Sequence, residues 1–198
     1  MVWLEVETKI KLRKDEVPAL REKILKIAKF VKKGRKGDDY FAIRRFRKNK
    51  YPKKAFRIRA TKDEFEVNFK KWLRKHWTKD IVVKQEFEFK LKGKEEVEDL
   101  LALFRDLGFR EWMKKIKDNE TYLYKKDKRL EIEINKVKHL GYFIEMQYLC
   151  KLRELEKARK RIREALKLLG IKQEQISNTG YTKMLWDKGI SDRRYWIK

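Results

Sequence analysis

Residues 1–12 read MVWLEVETKIKL, and the last eight of them, EVETKIKL, set the problem for the whole chain. With a period of two, Glu5, Glu7, Lys9 and Lys11 fall on one face and Leu4, Val6, Thr8, Ile10 and Leu12 on the other. Side chains alternate across a strand, so this pattern describes a β-strand with one apolar face and one face of strong mixed charge. The pattern recurs. KAFRIRA sets Arg57 and Arg59 opposite Phe56 and Ile58, and EVNFK sets Glu66, Asn68 and Lys70 opposite Val67 and Phe69. VKQEFEFKL sets Lys84, Glu86, Glu88 and Lys90 opposite Phe87, Phe89 and Leu91, and LEIEIN sets Glu131, Glu133 and Asn135 opposite Leu130, Ile132 and Ile134.

Between these segments lie helical patterns. DEVPALREKILKIAKFVKK reads as a helix capped by Asp15, with Pro18 in its first turn and Gly34 and Gly37 at its end. KGKEEVEDLLALFRDLGF is amphipathic, with Val97, Leu100, Leu101, Phe104 and Leu107 on one stripe and Gly108 placed to stop it. The strand-like pieces REWMKKIK, ETYLYKK, RLEIEINKV and YFIEMQYL follow, and then a basic helix, LCKLRELEKARKRIREALKLLG. Together with DDYFAIRRF, this predicts about eight strands in two groups, each followed by a helix. No Gly-, Pro- or Ser-rich linker divides them. A single α+β domain over 1–198 with mostly antiparallel pairing is expected.

Composition bounds the function. Of 198 residues, 41% are hydrophobic, enough for a substantial core, and 44% are charged. Lys and Arg number 56 against 31 Asp and Glu, a formal charge of +25 that favours polyanionic ligands such as polyphosphate or RNA. One cysteine, Cys150, allows no internal disulfide and no cysteine-built zinc site. Its isolation fits a reducing, cytoplasmic setting. No run of about 18 apolar residues predicts a membrane span, and the N-terminus lacks a signal-peptide core. Abundant Lys and Glu with few Asn and Gln is a thermophile-like balance.

Two architectures accommodate such strands. One is an antiparallel sheet with helices on one side and water on the other. The other is a closed barrel whose apolar faces pack outward under helices while the charged faces line its interior, leaving no sheet edge exposed. Periodicity alone does not separate them.

The order of short motifs does. Glu5-Val6-Glu7-Thr8-Lys9 resembles the ExExK opening strand of the CYTH superfamily, the triphosphate tunnel metalloenzymes, which include class IV adenylyl cyclases and thiamine triphosphatases. Asp38 and Tyr40 resemble the family's D-x-Y strand, Phe56-Arg57-Ile58-Arg59 its LRIR strand, and Lys70 the lysine of its T-x-K strand. Lys84, Glu86 and Glu88 resemble R-x-E-x-E, and LGF at 107–109 closes the middle helix as the family does. Lys117 and Tyr122 fall in K-x-R-x-x-Y, LEIEINKVKHLGYFIEM resembles the strand–turn–strand that follows, and GYTKMLW resembles the closing S-Y-x-x-L-L. The match covers about residues 3–186 and is similar to an archaeal-type member. Asn119 stands where arginine is usual, Asn135 where aspartate is common, and Gln147 where a second acid often follows Glu145.

The resemblance implies a closed, mostly antiparallel eight-stranded β-barrel over about residues 2–149, with helices outside and a C-terminal helix and tail over 150–198. It implies a triphosphate bound with Mg2+ or Mn2+. Glu5, Glu7, Glu133 and Glu145, with Glu131 and Glu88 nearby, are the expected metal ligands, since hard cations take oxygen donors. Lys9, Arg57, Arg59, Lys70, Lys84 and Lys117 are the expected phosphate contacts, with Lys11 and Lys90 nearer the strand ends. Glu5, Glu7 and Lys9 are the expected catalytic set.

The implied reaction is in-line attack of a metal-bound water on the terminal phosphoryl group. Inorganic tripolyphosphate is the first choice of substrate. The alternatives are ATP cyclisation to cyclic AMP, thiamine or nucleoside triphosphate hydrolysis, and non-catalytic binding of polyphosphate or RNA through the basic surface. Homodimers are common in the family. His76 and His139 are isolated and are expected in turns or on the surface. Trp72, His76 and Trp77 in KKWLRKHW are read as a loop packed on the barrel rim, with base stacking as the alternative. The run KARKRIRE is read as a solvated helix face that could also hold a polyanion.

Overall fold

The computed structural model describes residues 3–43, 51–52, 55–60 and 64–190. The end of the segment read as DDYFAIRRF and the aromatic end of the tail lie outside these residues.

Eight strands close on themselves in the order β1-β5-β4-β3-β2-β6-β7-β8. They are β1 (Trp3–Leu12), β2 (Ala28–Ile43), β3 (Ala55–Ala60), β4 (Phe65–Trp72), β5 (Val82–Leu91), β6 (Phe109–Tyr124), β7 (Leu130–Val137) and β8 (Gly141–Cys150). The helices are α1 (Val17–Ile27), α2 (Lys94–Asp106), α3 (Leu155–Leu169) and α4 (Tyr181–Asp187). β1 runs antiparallel to both β5 and β8, joining the first strand to the last. The expected closed α+β barrel is the observed fold.

Two elements differ from the sequence reading. The first helix ends at Ile27, and the segment expected to continue it through Lys33 is strand from Ala28, where φ is −136° and ψ is 156°. Apolar residues at helical spacing there include Phe30 and Val31, which suit a strand equally well, and pairing with β6 decides between the two. REWMKKIK and ETYLYKK form one 16-residue strand, β6. The Asp118-Asn119 pair between them resembles a turn in sequence, but Asn119 is buried within the strand.

Two compact units make up the chain, one of residues 1–35, 71–86 and 117–179, the other of 36–70, 87–116 and 180–198. In the first, the apolar faces of β1, β7 and β8 (Val6, Ile10, Ile132, Ile144) bury against α1 and α3. α3 supplies Leu155, Ala158, Ile162, Ala165, Leu166 and Leu169, spaced for one helical stripe. Each fully buried Leu or Ile in such a layer contributes about 1.5–3 kcal/mol. The helix stops at Gly170, whose φ of 70° an L side chain rarely adopts. In the second unit, Phe41, Phe56, Ile58 and Val67 pack against Val97 and Leu101 of α2, with Phe56 and Phe104 ring centroids 4.4 Å apart. With the apolar faces under helices, the charged faces of these strands turn into the barrel.

Candidate active site

The first unit carries the opening motif. Register aligns its inward residues in rows: Lys9 opposite Glu145, Glu145 opposite Glu133, and Glu133 opposite Thr121. The next row sets Glu7 opposite Gln147 and Gln147 opposite Glu131, while Glu5 faces Lys84 on β5. Despite their charge, Glu5 and Lys9 are each only 2% exposed.

Buried charges need partners, and here they are arranged around three ammonium groups. Lys84 Nζ lies 2.6 Å from Glu7 Oε2 and 3.7 Å from Glu5 Oε2. Burial alone would lower the Lys84 pKa, but Glu7 and Glu5 more than offset it and hold it above the ordinary lysine value. Lys117 Nζ lies 2.6 Å from Glu133 Oε2 and 3.2 Å from Glu145 Oε2. Lys9 Nζ has more distant acceptors, Glu7 Oε1 at 3.4 Å, Glu145 Oε1 at 3.3 Å and the Thr179 carbonyl at 3.3 Å.

The positions where this chain departs from the resembling family are built into the same wall. Asn135 Nδ2 donates to Glu145 Oε2 at 2.7 Å, and Asn119 Nδ2 donates to Glu133 Oε1 at 3.2 Å and to Thr121 Oγ1 at 2.9 Å. Gln147 Nε2 donates to Glu131 Oε1 at 3.2 Å. Because the amide nitrogens must face carboxylates, the Oδ1 atoms of Asn119 and Asn135 point elsewhere, and both are buried without a hydrogen-bond partner.

These observations bear on a divalent cation. Among the described residues, no three acidic, His or Cys side chains converge as a ready ligand cluster, because lysines stand between the carboxylates. The donor set suits a cation nevertheless. Among the described residues, five carboxylates (Glu5, Glu7, Glu131, Glu133, Glu145) stand with three ammonium groups (Lys9, Lys84, Lys117) on this wall. With the two orphaned carboxamide oxygens, the donors are all oxygen, the chemistry that Mg2+ and Mn2+ take. The residues fit such an ion.

The second unit holds the other predicted phosphate contacts. Asp38, 0% exposed, receives Arg59 through a fork, Nε to Oδ1 at 2.6 Å and Nη2 to Oδ2 at 3.2 Å. Lys115 Nζ approaches the same carboxylate at 2.6 Å and Arg57 at 3.7 Å. Burial would raise the Asp38 pKa, but Lys115, Arg57 and Arg59 together hold it well below the ordinary carboxylate value. Arg57 also donates to Glu66 Oε1 at 2.5 Å, and Asn68 donates to Glu88 Oε2 at 3.1 Å. Lys70 is half-buried on β4.

Several expectations are relocated. Glu88 is exposed and lies in the second unit, whereas the other proposed metal ligands all lie in the first. Lys11 is exposed, and Lys90 is exposed and paired with Glu64 at 2.5 Å. Trp72 and Trp77 pack at 5.3 Å with the Arg74 guanidinium over both rings, and Trp77 Nε1 donates to the Val83 carbonyl, so KKWLRKHW is a packed turn. His139 occupies the β7–β8 turn at a φ of 68°.

Two features were missed in the sequence. Lys115 shares the inward face of β6 with Lys117, two residues away within REWMKKIK, but none of the short motifs includes it. The segment 176–179 completes the wall beside Lys9: Asn178 Oδ1 accepts the Lys9 N–H at 3.0 Å, Ser177 N donates to the Lys9 carbonyl at 2.8 Å, and Ile10 bridges Ile176. No periodicity marks that segment as a strand partner.

Comparison with known proteins agrees with this geometry. The model of the CYTH domain matches residues 4–181. A solved structure of a Pyrococcus horikoshii OT3 protein is 26% identical and covers 93% of this chain and 99% of its own, with a TM-score of 0.69. A Hippeastrum protein described as an adenylyl cyclase candidate with a dominant triphosphatase activity is 13% identical, covers 100% of this chain and 99% of its own, and has a TM-score of 0.61. The Mimivirus capping-enzyme triphosphatase is 13% identical, covers 84% of this chain and 89% of its own, and has a TM-score of 0.51. No curated protein sequence matches the chain significantly.

Proposed function

The chain belongs to the CYTH domain family, and on that premise we propose that it is a divalent-metal-dependent triphosphatase, with inorganic tripolyphosphate as its first substrate. The observation that carries this reading is the largely buried wall of interleaved carboxylates and ammonium groups in the first unit. Desolvating ion pairs costs several kcal/mol per ion and is often matched or bettered by apolar packing, so a scaffold gains little from such a wall. A site that binds a polyanion together with a cation uses both signs. The structural relatives named as triphosphatases support the same reading.

In this proposal Glu5, Glu7, Glu133 and Glu145, with Glu131, would hold the metal. When bound, the ion neutralises phosphate charge and lowers the pKa of water in its vicinity. Lys9, Lys84 and Lys117 exchange part of their carboxylate contacts for phosphate oxygens. Lys9 contacts Glu7 Oε1, Glu145 Oε1 and the Thr179 carbonyl at 3.3–3.4 Å, longer than the 2.6 Å contacts of Lys84 and Lys117. Within the second unit, Arg57 and Arg59 carry planar forks and Lys70 a point charge of the kind that phosphate oxygens take. Water attacks the terminal phosphorus in line and the bridging P–O bond breaks. One water and one tripolyphosphate become diphosphate and phosphate, and the cations steady the departing diphosphate.

A second reading, an organic triphosphate, rests on an aromatic group in the second unit. Tyr51, Trp112 and Trp186 pack edge to face at 5.2–6.3 Å, and Trp112 also meets Tyr40, whose hydroxyl accepts from Lys115. The Trp112 indole N–H is buried with no acceptor. An aromatic base or thiamine ring with an acceptor nitrogen suits that surface.

The test is incubation with tripolyphosphate, ATP and thiamine triphosphate, each with Mg2+ or Mn2+, quantifying phosphate and cyclic AMP. Phosphate from tripolyphosphate supports the first reading, and faster release from ATP or thiamine triphosphate supports the second. Cyclic AMP would make the protein a cyclase. The absence of any turnover would sink both readings.

A further inference from the structure

The surplus of positive charge has a location that the sequence did not indicate. The basic run singled out in sequence, KARKRIRE on α3, is largely neutralised. Arg163 is forked onto Asp80 at 2.7 and 3.1 Å, Arg161 donates to Glu164 at 2.8 Å, Arg159 pairs with Glu156, and Lys157 lies 3.8 Å from Asp127. The first half of β2, KFVKKGR at 29–35, is different. Every residue in it is exposed, including Phe30 at 45% and Val31 at 47%. Lys33 and Arg35 make long ion pairs with Glu120 and Asp118 at 3.9 and 3.8 Å, but among the described residues no carboxylate lies within ion-pair distance of Lys29 or Lys32.

The β6–β7 turn adds to this surface. Lys125 N donates to the Ile27 carbonyl, and its Nζ reaches the carbonyls of Leu25 and Lys26, which ties the turn to the α1–β2 junction. The turn brings two more exposed lysines, Lys126 and Lys128, neither within ion-pair distance of an acid among the described residues. The result is an exposed strand and turn on which Lys29, Lys32, Lys126 and Lys128 have no acid within ion-pair distance among the described residues, with Lys32 on the same strand face as the exposed Phe30 ring and Lys29 and Lys33 on the other. Phe30 meets Tyr122 edge to face at 5.5 Å, which holds the ring in place.

We propose that the exposed first half of β2, centred on Lys29, Phe30, Lys32 and Lys33, binds a single-stranded polynucleotide. The lysines track phosphates and Phe30 stacks a base. Cations spaced along an extended chain suit a linear backbone of single negative charges, and an aromatic ring among them suits unpaired bases rather than bare phosphate. The inference is independent of the triphosphatase reading, since none of these residues belongs to the buried wall.

The test is fluorescence anisotropy of the full chain with a labelled U20 oligonucleotide between 50 and 300 mM salt. Lys29→Ala/Lys32→Ala/Lys33→Ala should weaken binding at least tenfold. It should also flatten the plot of log K against log salt by about 2, three contacts at roughly 0.7 each for single strands. Phe30→Leu keeps an apolar side chain and should still cost about fivefold or more through lost stacking. Competition by long-chain polyphosphate should be weaker per charge than by U20. As a control, Lys157→Ala/Lys160→Ala/Lys167→Ala on α3 removes the same charge and should change affinity less than threefold. Equal losses in the α3 and β2 triples would overturn the proposal in favour of diffuse attraction. A Phe30→Leu variant with unchanged affinity, and polyphosphate competing as well as U20, would reassign the surface to polyphosphate. Failure of the wild type to bind U20 would also overturn it. Tripolyphosphate turnover, measured in parallel and expected to be unchanged in the β2 triple, reads the other proposal separately.

Discussion

Glu133 and Glu145 stand directly opposite one another on β7 and β8, and the Lys117 ammonium reaches both, 2.6 Å from one and 3.2 Å from the other. Like charges in directly opposed strand positions repel, so Lys117 does for this pair what a bound cation would do. Replacing it with methionine leaves the buried Glu133 carboxylate facing the half-buried Glu145 carboxylate without the ammonium between them. Breaking a buried pair costs about 3–5 kcal/mol, and for a chain of this size each kcal/mol is worth roughly 2–4 °C in Tm. Lys117→Met should therefore melt about 6–20 °C lower in EDTA. Mn2+ should restore more of the variant's Tm than it adds to the wild type. Equal increments by scanning fluorimetry would remove Glu133 and Glu145 from the metal site.

Glu5 and Glu7 share Lys84, and glutamine at either position keeps the side chain's shape while removing its charge. Phosphate release from tripolyphosphate should fall about 10²-fold in Glu7→Gln, the scale of losing one preorganised electrostatic contact. Glu5→Gln should fall comparably, and circular dichroism should report the native strand content for both. Activity within threefold of wild type in both variants would mean that the opening motif is structural.

Asp38 serves three cations, so Asp38→Asn leaves Arg57, Arg59 and Lys115 without their shared anion. The Asp38 pKa is lower in the folded than in the unfolded chain, where it is about 4. Its stabilisation is therefore complete above pH 4 and is lost as the pH falls below that value toward the folded pKa. The Tm gap between wild type and Asp38→Asn should be wide at pH 7 and narrow progressively below pH 4. A gap that stays constant down to pH 2.5 would show that the Asp38 charge is not what matters.

Asn178 holds the backbone of Lys9 from outside the β1–β8 pairing. Asn178→Ala removes one hydrogen bond, worth about 1 kcal/mol in stability. If the bond positions Lys9, KM for tripolyphosphate should rise severalfold while Tm falls only a few degrees. Asn178→Asp, which can still accept that N–H, should recover most of the loss. A rise in KM that Asn178→Asp does not correct would limit the segment to a structural part.

The barrel was legible because alternation survives at nearly every strand and the short motifs run in one order along the chain. Parity put Glu7, Lys9 and Lys84 on charged strand faces, while Lys117 was reached through its resemblance to K-x-R-x-x-Y. Lys115 was missed because no short motif includes it, although it shares parity with Lys117. The continuity of β6 was missed because a polar Asp-Asn pair inside it imitates a turn, and only burial of Asn119 shows that it is not one. The α1–β2 boundary failed for a related reason. Phe30 and Val31 satisfy a helical stripe and a strand equally, and the choice rests on a partner strand far along the chain, where Phe30 meets Tyr122. Ion-pair partners such as Asp38 with Lys115 depend on register across the sheet, which no local pattern encodes.

Lys9 meets Asn178 across 169 residues of sequence, and β1 is flanked by β5 and β8, neither of which is near it in the chain. A ribosome would therefore deliver the opening strand long before anything exists to complete it. Contacts this distant make folding slow, and an unpaired apolar strand invites association with other chains while it waits. The alternating carboxylates and ammonium groups of EVETKIKL oppose such association, because charge on an open strand disfavours edge-to-edge pairing. The residues proposed to hold metal and phosphate in the finished protein would thus first serve to keep the nascent chain soluble.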